Sequence, residues 1–397
     1  MSSYAGPQVV SSNLILDLDA ANPKSYRYAE NLLTYSQGIT SANGWGFGAN
    51  TTFVSSSNTA PDGSNTATST YGNGSSANEY IVKQSTYAAN TWYTASCWAR
   101  LSNGTTPTGG TILSISYTTD VLGTSTRSTV PCNGNLTSTW QRFSTTFFNV
   151  APGLYSAFLC ADQNNTATIE VWGAQVEHGN TMNQYTATTS SIVTSSNTWI
   201  DLSTYKNNGT LANTPGFSNT STMSFSGFSR ANNYVTLGNL PSTLPQMTVE
   251  VWVNIVPLIN SSIGYIIGQR NSAFRLMHGS SNFQWACATT NNGWYTTGTT
   301  LTSSSVTVYN VWNHVVVTYD GSYNRIYVNG VLQGTSTPAV SGNVSMASLG
   351  GLYIMQTDSA NLDNASGQLS VARIYSTALT QEQIVSNFNA MRGRYGL

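Results

Sequence analysis

The sequence predicts an all-β protein of two β-sandwich or jelly-roll domains with one C-terminal surface helix. Three observations carry that expectation. Short runs of β-branched and aromatic residues recur along the chain, separated by polar turns every ten residues or so, the texture of sandwiches and jelly rolls. Only one stretch combines a helical apolar stripe with a capping signal. The chain has 397 residues, more than one all-β core ordinarily uses, which favours two domains.

Composition narrows the function classes. Asp, Glu, Lys and Arg supply 7% of the residues, against an ordinary share of about 25%. With Lys+Arg 14 and Asp+Glu 15 the formal charge is -1, which excludes a basic nucleic-acid binder and a charge-driven disordered tail. Trp 10, Tyr 22 and Phe 12 provide apolar surface for real cores, so solubility must come from Ser, Thr, Asn and Gly. No run approaches the roughly 20 apolar residues of a membrane span. This is the profile of a β-rich protein working outside a cytoplasm or on a particle surface.

In chain order, strand signals fall at 92–100, 111–117, 140–148, 154–161 and 168–176. Further on, Val249, Val251, Val253 and Ile255 alternate with Glu250, Trp252 and Asn254, a two-residue period. The run 312–319 is β-branched and aromatic and meets the turn pair Asp320-Gly321. Asn329-Gly330 then separates 325–328 from Val331-Leu332, and Asn-Gly supplies the two positive φ angles of a type I′ hairpin. The helix starts where Thr380 caps and Gln383 completes a capping box. Leu379 and Ile384 occupy the staple positions, Ile384, Phe388 and Met391 make one stripe, and Gly393 is the expected end.

Cys97, Cys132, Cys160 and Cys287 form no CxxC pair, which argues against zinc. Small buried hydrophobes are the expected role, with disulfide pairing left open.

Several segments carry family resemblances. Residues 197–397 resemble the laminin-G/concanavalin A-like lectin sandwich in the form common in phage structural proteins. The matching motifs are Thr198-Trp199-Ile200-Asp201-Leu202-Ser203, Thr248-Val249-Glu250-Val251-Trp252-Val253, Trp312-Asn313-His314-Val315-Val316 and Tyr327-Val328-Asn329-Gly330, then 372–380. The ending, 387–397, is similar to the terminus of tailed-phage virion proteins, especially marine and cyanobacterial ones. From about Asn31 to Tyr185 the chain resembles a carbohydrate-binding jelly roll, through Asn31-Leu32-Leu33, Ala60-Pro61-Asp62-Gly63-Ser64, Trp140-Gln141-Arg142-Phe143 and Trp172-Gly173-Ala174-Gln175-Val176-Glu177.

Motif order implies an insertion. Residues 13–26 resemble the opening strand of the lectin sandwich, which in that family leads shortly into a segment like Trp199-Ile200-Asp201. Here a whole jelly roll intervenes. The implied domains are 1–27 plus 191–397 for the sandwich and 28–190 for the inserted jelly roll, with a Ser/Thr-rich return. Surface loops accept such insertions at modest closure cost.

The resemblance also frames the chemistry. Glycosidases on this fold need two carboxylates across the scissile bond, and their Glu-x-Asp-x-x-Glu strand signature does not occur. Asp17, Asp19, Glu170 and Glu250 are expected to be structural. His178, His278 and His314 lack a nucleophile elbow and suit packing. Lectin-like sandwiches often hold Ca2+, and Asp358 with Asp363 lie in one Asn/Asp-rich stretch that offers oxygen ligands; ordinary turn residues are the alternative. Sugar stacking needs aromatic faces beside amides, and Trp45, Phe47, Trp285 and Trp294 stand in Gly/Asn-rich segments.

The expected function is therefore non-enzymatic: a virion structural protein on the particle surface, a tail-fibre or adhesin component binding host cell-surface polysaccharide. Its expected partners are other phage virion proteins, in a homo-oligomer, with neither nucleic acid nor membrane insertion. The first residues show no basic region followed by an apolar core, which fits release by lysis. A capsid decoration protein is the alternative, and a glycan-degrading enzyme a weaker one.

Overall fold

The computed structural model describes residues 6–75, 79–117, 126–132, 135–161, 166–213, 215–218, 222–228, 233–238, 240–258, 263–269, 272–291, 300–304, 309–336, 341–345, 351–356 and 364–397. The chain is all-β, with strands throughout and one α-helix among the described residues. It divides into two compact units: Met1–Arg27 with Ser196–Leu397, and Tyr28–Ser195.

The Tyr28–Ser195 unit is a sandwich of two five-stranded antiparallel sheets. One runs in the order Gly46–Phe47, Ile81–Tyr87, Gly153–Ala161, Thr111–Tyr117, Thr126–Pro131; the other Thr51–Asn58, Ala67–Gly72, Thr168–His178, Thr91–Asn103, Gln141–Asn149. Alternation decides what each strand buries. Tyr93, Ala95, Cys97 and Ala99 join Ile115, Leu159, Val171 and Val176 in one core, while Trp92, Thr94, Ser96 and Trp98 take the opposite face. Asn31 ties the ends of this unit together. Its backbone exchanges hydrogen bonds with Val193 at 2.8 and 3.0 Å, and its side-chain amide donates to the Ala174 and Thr186 carbonyls. That pairing keeps residues up to Ser195 with the inserted unit.

The other unit contains two eight-stranded sheets. The first has Gly216–Ser218, Ser224–Phe228, Gly367–Tyr375, Met247–Ile255, Trp312–Tyr319, Asn324–Val328 and Val331–Thr335 in order. Leu14–Asp19 also pairs with Gly367–Tyr375, lying beside residues 371–375 while Ser224–Phe228 meets residues 367 and 369. The second sheet runs Thr198–Trp199, Gly209–Ala212, Tyr234–Leu237, Leu352–Ile354, Ile263–Gln269, Ser272–Gly279, Phe283–Cys287 and Thr300–Thr302. Val249, Val251, Val253, Val315 and Val317 of the first sheet and Ile267, Phe274, Leu276 and Trp285 of the second are all fully buried.

Within this unit the residues flanking the insertion meet. The Ser25 hydroxyl donates to the Ile200 carbonyl at 2.6 Å, and the Tyr26 hydroxyl to that of Ser196 at 3.1 Å. The Asp17 amide donates to the Asp201 carboxylate at 2.8 Å, and the Leu202 amide to the Asp17 carbonyl at 2.9 Å. A long insertion between such adjacent ends costs little extra closure entropy.

Helix α1, Gln381–Met391, has the capping box at Thr380 and Gln383. Its end differs from the expectation at Gly393: the chain continues as a 3-10 turn over Arg392–Tyr395, and Gly396 takes the left-handed conformation with φ 73°. Tyr395 is thereby turned inward, where its ring stacks on Trp252 at 4.0 Å. The hairpin turn has Asn329 at φ 50° and Gly330 at φ 79°, the two positive angles a type I′ turn requires.

Candidate functional site

The densest cluster of ionisable groups lies beneath helix α1. Alternation sends Glu250 and Trp252 to the sheet face opposite the valines, and α1 with Tyr395 covers that face, so both side chains are fully buried. A buried carboxylate needs partners. Glu250 has them: Arg373 Nη1 at 3.3 Å, His314 Nε2 at 3.1 Å, and hydrogen bonds donated by Asn387 Nδ2 at 2.7 Å and the Tyr375 hydroxyl at 3.2 Å. Arg373 also donates through Nε to Asp17 at 2.8 Å, and Arg394 donates to Asp19 at 2.8 Å. Burial pushes the Glu250 carboxyl up, but the His314 hydrogen bond, the Arg373 charge and the Asn387 hydrogen bond outweigh it and hold the pKa at about 2. For Asp17 burial prevails over Arg373 and the pKa is raised. Glu250 and His314 are sealed from solvent, while Asp17, Asp19 and Arg394 at the rim of the network stay partly exposed; together they tie the sheet to its helix.

The described carboxylates elsewhere are likewise engaged in structure. Asp201 accepts from the amides of Asp17, Ser203 and Asn207. Asp320 holds its turn through the Ser322 and Tyr323 amides and pairs with Arg325. Glu30 binds His178 at 2.9 Å and accepts from the Tyr28 hydroxyl; although burial pushes its carboxyl up, these contacts bring the pKa below the ordinary value. Glu170 pairs with Arg100, Glu177 accepts from Asn183, Asp62 from Ser64 and Glu79 from the Gly74 amide. Glu382 sits in the first turn of α1. Among the described residues no group of three or more His, Cys, Asp or Glu is placed to hold a metal ion.

Two of the tryptophans expected to stack on sugar are in cores. Trp285 is fully buried, stacks on Phe274 and donates its indole N–H to Asn324 Oδ1 at 2.9 Å. Trp45, 2% exposed, donates to the Tyr35 carbonyl at 2.9 Å and lies under the Lys83 ammonium. Neither ring offers a face to a ligand in this structure, and they belong to different units. The polar flanks that suggested exposure are the turns bounding each strand, not the surroundings of the ring. Trp294, Asp358 and Asp363 lie outside the described residues.

Accessible aromatic rings of the inserted unit lie elsewhere, among them Phe53 at 44% and Tyr71 at 38% exposure. On the outer face of the Thr91–Asn103 and Gln141–Asn149 strands, Trp98 packs against Trp172 and Tyr185, with the Arg142 guanidinium 4.4 Å from its ring centre. Arg142 is committed there, donating to the Asn183 carbonyl and the Ser96 hydroxyl. At the far end of the same face, Trp92 and Phe148 are 38% and 44% exposed, with ring centres 5.4 Å apart. A sequence signal for this pair existed. Both rings occupy the polar positions of alternating strands, in register with Thr94, Thr146, Ser96 and Ser144.

Comparison with known proteins places part of the chain. Residues 229–385 match the family model described as the concanavalin A-like lectin/glucanases superfamily. None of the curated proteins matches the chain. Among solved structures, the binding domain of Paraclostridial Mosquitocidal Protein 1 is 15% identical with a TM-score of 0.37, over 48% of this chain and 49% of that one. The botulinum neurotoxin serotype G binding domain is 14% identical with a TM-score of 0.38, over 48% and 47%. The botulinum neurotoxin serotype D ligand binding domain in complex with N-acetylneuraminic acid is 18% identical with a TM-score of 0.38, over 48% and 47%. The chain thus spans about half the length of the structures it resembles.

Proposed function

We propose that this protein binds glycan without cleaving it, as a structural component displayed on the surface of a tailed-phage particle, in a tail fibre or adhesin. The observation that carries the non-enzymatic half lies in the lectin-matching span. Its described carboxylates are Glu250, Asp320 and Glu382: the first is buried under α1, the second is held in a turn, and the third is exposed in the first turn of α1, so no two of them face each other. A glycosidase needs two acids facing each other across a sugar-sized gap. A lectin needs none.

The virion assignment draws support from the resemblance of residues 197–397 and of the last eleven residues to phage proteins, and from the 7% charged content. Its partners are then host cell-surface polysaccharide and neighbouring virion proteins, with several copies of this chain assembled together. A capsid decoration role is the second reading. It is favoured by the single 11-residue α-helix among the described residues, which provides no coiled-coil shaft.

Two experiments separate these readings. Labelled antibody in electron micrographs of particles is expected to mark tails, with tens of copies per particle; hundreds of copies over the capsid select decoration, and no label on particles refutes a virion role. Gel retardation by purified host polysaccharide is expected to show saturable binding, and unretarded migration at every polysaccharide concentration refutes glycan recognition.

A further inference from the structure

One strip of the inserted unit combines exposed rings with exposed hydroxyls. We infer that Trp92 and Phe148, with the Thr146 and Ser144 hydroxyls beside them, form a platform for a neutral sugar chain; this rests on the glycan-binding reading above. Gln141–Asn149 is the edge strand of its sheet, and Ser144, Thr146 and Phe148 project outward from it in alternation, all exposed. Successive outward positions lie about 7 Å apart, so rings and hydroxyls follow one another along a line.

The chemistry of the strip selects its occupant. Folded proteins normally bury or pair aromatic rings of this size, each of which covers roughly 150–250 Å² when buried. At 38% and 44% exposure, the pair leaves on the order of 150 Å² open. That is far below the roughly 800 Å² per partner of a stable protein interface, and it suits the footprint of a sugar ring. Neither the Ser144 nor the Thr146 hydroxyl, nor the Trp92 indole N–H, has a hydrogen-bond partner among the described residues. They are therefore free to bond ligand hydroxyls. From Ser144 to Phe148 the outward positions carry no charge, and the nearest charged side chain along the strand, Arg142, is occupied by Asn183 and Ser96. An uncharged platform of rings and hydroxyls favours a neutral pyranose over an acidic one, since nothing along it would balance a carboxylate.

The test uses the full chain and a Trp92→Ala/Phe148→Ala variant, in gels loaded with dextran, galactomannan or xylan, with polygalacturonate as the charged comparison. Both changes are at the surface, and thermal unfolding checks that the variant folds as the wild type does. At least one neutral polysaccharide should retard the wild type, with apparent affinity falling tenfold or more in the variant. If the variant is retarded as strongly as the wild type, the platform is wrong while glycan binding stands. If polygalacturonate alone retards the wild type, the neutral-ligand assignment is wrong. If no polysaccharide retards it, the broader reading fails together with the platform. Wild-type self-association that the variant abolishes in sedimentation would make the strip a contact between copies instead.

Discussion

The Arg373 guanidinium meets the Asp17 carboxylate at 2.8 Å although 356 positions separate them in sequence. Asp17 belongs to a strand that precedes the inserted unit and Arg373 to the last strand of the chain, and the two strands pair antiparallel with Asp17 opposite Arg373. One sheet is therefore closed by residues from both sides of a jelly roll. Ile15, Leu16 and Leu18 of the early strand are fully buried.

Residues 196–397 alone should then be a damaged body. They lack that strand, leaving one side of residues 371–375 unpaired and Arg373 without Asp17. A chain joining Arg27 by a short linker to Ser196 is expected to unfold cooperatively in urea. Residues 196–397 alone should unfold at markedly lower denaturant or without a cooperative transition, and equal midpoints would show that the early strand contributes nothing.

Glu250→Gln leaves Arg373 buried with one fewer counter-charge. Breaking a buried pair in this way costs about 3–5 kcal/mol, which urea unfolding at pH 7 would register as a lower midpoint with an unchanged slope. A loss below about 1 kcal/mol, the scale of an exposed pair, would mean that the Glu250 site is open to water.

Acid should weaken the fold in two windows. His278 is fully buried, and burial lowers its pKa to about 4, the Gly279 backbone only partly opposing this. The unfolded chain takes up this proton first, so stability falls as pH drops from about 6.5 towards 4, by about 3 kcal/mol in all. Glu250, at about 2 against 4.5 unfolded, contributes stability above pH 4.5 that is lost as pH falls towards 2. Calorimetric scans of His278→Leu should lose the first window and keep the second.

Gly367 sits at φ 139°, and a Cβ there would lie 2.1 Å from the Asn254 carbonyl oxygen. Gly367→Ala is expected to cost about 3 kcal/mol from strain and overpacking. An unchanged melting temperature would show that the neighbouring strand yields freely.

All four cysteines are free and buried, and burial holds the Cys97 thiol up at about 12. A thiol reagent should find almost none in the native protein and four after denaturation.

What the sequence could disclose follows the range of each signal. The Thr380–Gln383 box and the Asn329-Gly330 turn are decided by neighbours a few residues apart, and both stand where their chemistry put them. The alternation at 249–255 identified the valine face, but not that Glu250 and Trp252 would be covered, because their cover comes from Asn387, Phe388 and Tyr395 more than a hundred residues away. The burial of Trp285 and Trp45 was hidden for the same reason: whether a ring is covered depends on residues distant in sequence. Trp92 and Phe148 stand at polar-facing positions of their strands, but so does the buried Trp252, so the pattern alone does not separate an accessible ring from a covered one.

Adhesion without turnover has a direct chemical readout. Purified host polysaccharide incubated with the full chain, and followed for hours by a reducing-end assay, is the most direct measurement. The protein is expected to stay bound while the reducing-end signal remains at the level of polysaccharide alone. A signal that grows in proportion to protein and time would contradict it.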